Sequence, residues 1–146
     1  MSATTEALDA TYIIAELEDA GRTLMTMPHK GYTTTCRTSG LDFVREAIEA
    51  YGWETAVTRP AIPPSAKIDR MDTVLAWISL IPSGRFVLRR VVGCRALINP
   101  VTDRHVFSWR RLGNTIGCSH EAVRLWHGQG IDLIISALAR RAAFYD

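Results

Sequence analysis

Ser119, His120, Glu121 and Arg124 fall within six consecutive positions, and their types suit the reading of nucleic acid. Arginine donates two parallel hydrogen bonds to guanine O6 and N7, the commonest specific contact in a major groove. Glutamate accepts from cytosine N4. Serine and histidine at the start of a helix stand where backbone N–H groups favour a phosphate. Upstream, Arg110 and Arg111 are expected to touch the sugar–phosphate backbone, and Arg89 and Arg90 are weaker phosphate candidates, as are Arg95 and Arg104. Plainer readings compete. Arg124 also fits a solvated pair with Glu121 at i−3, Glu121 also complements a helix dipole, Ser119 also works as a simple cap, and His120 also fits a bare surface position.

Chemistry at these positions needs two helices and a sharp turn. A short helix after Ser108 carries Trp109, Leu112 and Ile116. Gly117 supplies a left-handed residue for the reversal, and Ser119 caps a second helix. That second helix turns Val123, Trp126, Gly130, Ile134 and Ala137/Leu138 inward and His120, Glu121 and Arg124 outward. Gly128 and Gly130 lower its intrinsic propensity by about 1 kcal/mol each. The indoles of Trp77, Trp109 and Trp126 are expected in the core.

The charge distribution agrees with a polyanion partner at one end only. Residues 1–81 carry seven Lys and Arg against eleven acids, whereas residues 82–146 carry ten Arg, no Lys and four acids. Arginine is the side chain suited to bidentate phosphate and guanine contacts. Hydrophobic residues at 47% are ample for a core. Three widely spaced cysteines (Cys36, Cys94, Cys118) do not make a disulfide framework. With no signal-peptide pattern at the start and no apolar run of spanning length, a cytoplasmic protein free of membrane contact is expected.

The expected fold is all-α, with N-terminal helices followed by a C-terminal tri-helical helix-turn-helix unit. Helical spacing marks residues 11–27, stopped by Pro28, and residues 41–51, ended by Gly52. RPAIPPSA contains three prolines and reads as a stiff linker. Three regions follow: 1–58 for interaction or oligomerisation, 59–66 as linker, and 67–146 for DNA binding. Ser65 is placed to cap a helix over 67–81, with Ile68, Met71, Val74, Leu75 and Ile78 on one face. A helix over 85–92 then puts Phe86, Val87 and Val91 on its apolar side and Arg85, Arg89 and Arg90 outside. Residues 93–106 read as a loop, an arm toward DNA or an insertion.

Gly113, Gly117, Ser119 and Val123 resemble the helix-turn-helix of sigma-factor region 4 and of many bacterial repressors. There a small residue precedes the turn glycine by four positions and an aliphatic residue follows the serine by four. Alanine is more usual at the position of Gly113. More widely, Leu17-Glu18-Asp19-Ala20, Glu49–Gly52 and above all Ile68-Asp69-Arg70-Met71-Asp72 with Trp77 look like an uncharacterised family of alphaproteobacteria and their prophages. In that family the helix-turn-helix follows the preceding helix more directly.

Sequence-specific binding of double-stranded DNA by a transcriptional regulator is therefore the leading expectation, with the acidic N-terminal helices forming a homodimer or meeting a protein partner. The alternatives are a small-terminase-like DNA-packaging protein of phage and a protein-interaction module that binds no DNA. No cofactor, metal or catalytic residue is expected. Cys94, His105, Cys118 and His120 lack the paired spacing of a zinc site, Cys118 beside His120 reads as a core thiol, and no phosphate-loop or dinucleotide fingerprint occurs.

Overall fold

The computed structural model describes residues 9–27 and 62–145. The expected helix over 41–51 and residues 59–61 of the proline-rich linker lie outside those residues. Among the described residues the fold is all-α, with five α-helices: α1 (Ala10–Thr26), α2 (Ser65–Leu75), α3 (Phe86–Ala96), α4 (Trp109–Ile116) and α5 (His120–Tyr145).

α1 presents Ile13, Leu17, Ala20 and Gly21 to the interior. It ends because Met27, the residue before a proline, is extended at ψ 142. α2 starts one residue earlier than the serine-cap pattern implies. Pro64 is the N-cap, its carbonyl accepting from Lys67 N at 3.0 Å, and Ser65 is already helical and makes no cap hydrogen bond. Beyond Leu75 the helix tightens into a 3₁₀ turn, Ala76–Leu80, and Ile81 turns extended before Pro82.

α3 differs from expectation on two counts. It runs on through residues 93–96, which had read as loop. Its inward face is Leu88, Val91 and Val92, leaving Phe86 and Val87 exposed at 51% and 42%. The connection to α4 is a pinned hairpin. Ile98 bridges His105, Val106 N donates to Leu97 O at 3.1 Å, and Asn99 Oδ1 accepts from Val101 N and Thr102 N. Asp103 takes the left-handed φ of 58° that Asp tolerates better than most residues. Its carboxylate accepts from Arg22 Nη2 at 2.6 Å, tying the hairpin to α1.

One core joins these pieces. Ile13 and Leu17 of α1 lie in the same buried cluster as Val74, Ile78, Val91, Leu97, Phe107, Val123 and Ile134. α1 packs on α2, α3 and α5, and a Cβ on Gly21 would be driven into the Ala96 carbonyl. The described part of the N-terminal region is therefore not separate from the helix-turn-helix region. The apolar face of α1 is committed to this chain's own interior. No single helix among the described residues is long and apolar enough to cross a membrane.

Candidate nucleic-acid interface

Ser108 caps α4, its Oγ accepting from Arg111 N at 3.2 Å. Gly117 ends α4 at φ 89° and ψ 32°, a left-handed conformation suited to glycine. The N–H groups of Gly117 and Cys118 both donate to Gly113 O, at 2.8 and 2.9 Å. Ser119 then caps α5, its Oγ accepting from Ala122 N at 3.2 Å. The return of the chain is tight: a Cβ on Gly113 would lie 2.7 Å from Cys118 O and 3.3 Å from His120 N. The departure from alanine at this position has that steric cause. Leu112 and Val123 are fully buried and fasten α5 onto α4.

With Val123 pointing inward, the opposite side of the first turns of α5 is open. Ser119, His120, Glu121 and Arg124 are all exposed. They stand on the first turns of α5, where the positive end of the helix dipole suits a phosphate. No ion pair joins Glu121 to Arg124 among the described residues, so the solvated pair weighed above is not formed.

Arg110 and Arg111 are exposed on α4. Arg111 also reaches back, its Nη1 3.4 Å from Val106 O and its guanidinium 5.4 Å from the Phe107 ring. Arg90 is exposed on α3, one turn from the buried Cys94 thiol, which burial pushes up to about 11. Arg89 differs from the expectation of a free outward arginine. It is half-buried, its Nε donating to Ile81 O at 2.7 Å and its Nη2 to Ser79 O at 2.9 Å. Those bonds close the carbonyl end of the 3₁₀ turn, a structural task at the end of a helix.

Arg95, grouped above with the weaker phosphate candidates, is also inside. Its guanidinium stacks 4.0 Å from the Trp109 ring centroid and its Nη1 donates to Phe107 O at 3.0 Å. Burial holds its pKa below the ordinary arginine value, Glu18 opposing the shift and Arg124 adding to it. Trp109 is half-buried against the core. It also meets His127 edge-on at 5.2 Å and lies 5.9 Å from the Arg124 guanidinium. His127 is pushed down to about 4, first by burial and then by Arg95 and His105. His105 holds Arg95 O through Nδ1 at 3.0 Å and approaches Glu18 through Nε2 at 3.5 Å. Sequence reasoning missed this cluster. Its members come from α1, the hairpin, α3, α4 and α5, and its one local signal was an aromatic residue at the first turn of α4. Among the described residues, no three His, Cys, Asp or Glu side chains lie close enough to hold a metal ion.

The geometry defines an all-α protein built around a helix-turn-helix. The chain belongs to the family described as a domain of unknown function, DUF6362, which matches residues 25–134 and so takes in α2, α3, α4 and the first half of α5. No curated protein and no solved structure matches it.

Proposed function

We propose that this chain binds double-stranded DNA sequence-specifically through the helix-turn-helix of α4 and α5, as a transcriptional regulator. One observation carries the reading. The left-handed turn at Gly117 and the buried Val123 leave the capped first turns of α5 exposed, with Ser119, His120, Glu121 and Arg124 outward. A helix presented this way lies in a major groove by its N-terminal residues while the preceding helix crosses the backbone. Arg124 is then the guanine reader, Glu121 the acceptor for cytosine, Ser119 and His120 phosphate contacts at the helix start, and Arg110 and Arg111 contacts from α4. The excess of arginine in residues 82–146 supplies the attraction to a polyanion.

The test is selection of bound duplexes from a random pool, followed by a salt titration on the recovered site. A shared motif is expected, with log affinity falling by about 0.9 per neutralised phosphate for each tenfold rise in salt. A motif with twofold symmetry would mark a dimer on DNA. Strong binding without any motif, together with ring-shaped assemblies in gentle sizing, would replace regulation by DNA packaging. Absence of duplex binding at low salt would leave a protein-interaction module.

A further inference from the structure

Trp109 opens α4, Arg95 is one residue from the end of α3 and Arg124 lies in the second turn of α5, yet the three side chains meet. Arg95 is fixed twice, by its stacking at 4.0 Å on the indole and by its 3.0 Å hydrogen bond to Phe107 O. His127, three residues beyond Arg124, closes the ring's edge at 5.2 Å. The indole is thus held from two sides, and it is the partner the structure gives Arg124, since no carboxylate among the described residues pairs with that guanidinium. A ring face attracts a guanidinium through its quadrupole. The like charge of Arg95 opposes any closer approach, so Arg124 rests against the platform without collapsing into it. A long side chain restrained in this way loses less rotamer freedom when it docks on a base.

The geometry points to Trp109 as a positioning residue for base reading: its indole, anchored by Arg95, holds Arg124 ready for guanine, so that α3 and α4 set specificity delivered by α5. This rests on the DNA-binding reading above. Trp109 itself touches no base.

The test compares the unaltered chain with Trp109→Leu, Trp109→Phe, Arg124→Ala and the Trp109→Leu/Arg124→Ala double variant. Each is measured on the selected duplex and on the same duplex with the contacted guanine replaced. Trp109→Leu is expected to lower discrimination between the two duplexes by about 2- to 10-fold with the salt slope unchanged, and Trp109→Phe to retain most of it. On the Arg124→Ala background, Trp109→Leu should cost no further discrimination. Undiminished discrimination in Trp109→Leu, or losses that simply add, would overturn the positioning role while leaving DNA binding intact. A second measurement does not depend on the variants folding. In the free, unaltered protein the Arg124 side-chain methylene protons should show upfield ring-current shifts in NMR, and ordinary shifts would overturn the proposal. If the unaltered chain selects no duplex, the DNA-binding reading fails and the positioning role fails with it.

Discussion

At the scale of single residues, Arg124 and Gly113 carry opposite kinds of constraint. Arg124 is exposed and makes no ion pair among the described residues, so its removal should leave the fold alone. Arg124→Ala is expected to weaken binding to the selected site by about 1–3 kcal/mol with little change on unrelated duplex; an equal loss on all sequences would make it a phosphate contact. Gly113 is constrained by the backbone that returns over it. Gly113→Ala gains helix propensity of about 1 kcal/mol, but its Cβ would lie 2.7 Å from a main-chain oxygen that cannot rotate away. Overpacking of this kind costs typically about 1–3 kcal/mol. The expected net result is a lower urea midpoint and a weakened turn, despite the better helix former. Ser119→Ala, which removes the cap on Ala122 N, should cost about 1 kcal/mol.

At the scale of elements, α5 shows how one helix reconciles two glycines. Gly128 faces open space, whereas a Cβ on Gly130 would lie 2.6 Å from Val92 Cγ2 and 3.7 Å from Leu88 O. Gly130 is thus a point of close approach between α5 and α3, and its low propensity is offset by that packing. The pair makes a contrasting prediction under thermal unfolding. Gly128→Ala should raise stability by about 0.5–1 kcal/mol. Gly130→Ala, one turn-face away, should lower it by about 1–3 kcal/mol, because Val92 is buried and stiff at χ1. If both substitutions stabilise, the close crossing of α3 and α5 is wrong.

At the scale of the whole molecule, the cluster around Trp109 ties stability to pH. His127 has its pKa depressed from 6.5 to about 4. Above the ordinary histidine range both folded and unfolded chains hold it neutral, and it adds no pH dependence. As pH falls from about 6.5 toward 4 the unfolded chain takes up a proton that the folded chain refuses, so stability falls. The shift corresponds to a loss of roughly 3 kcal/mol at most. Urea unfolding at pH 7 and pH 4.5 should show this loss in the unaltered chain and a smaller one in His127→Phe, which keeps an aromatic ring against Trp109. An identical pH dependence in both would remove His127 as its source. The exposed ion pairs Arg70–Glu16 and Arg22–Asp103 are each worth less than about 1 kcal/mol and contribute little.

The sequence by itself determined the local features: the helix-turn-helix from Ser108 to the second helix, its glycine turn, its serine cap and its buried valine. Each of these depends on residues within a few positions of one another, where backbone preference and 3.6-residue periodicity decide. The all-α class was legible for the same reason. Tertiary structure decided what periodicity cannot see. It drew α1 into the common core, turned Arg89 and Arg95 from solvent to carbonyls and an indole, and left Phe86 and Val87 outside. An arginine's destination depends on which carbonyl or ring the fold brings within its reach, and an apolar face belongs to whichever neighbour covers it. Both are relations between residues far apart in the chain, so they exist only once the helices have packed.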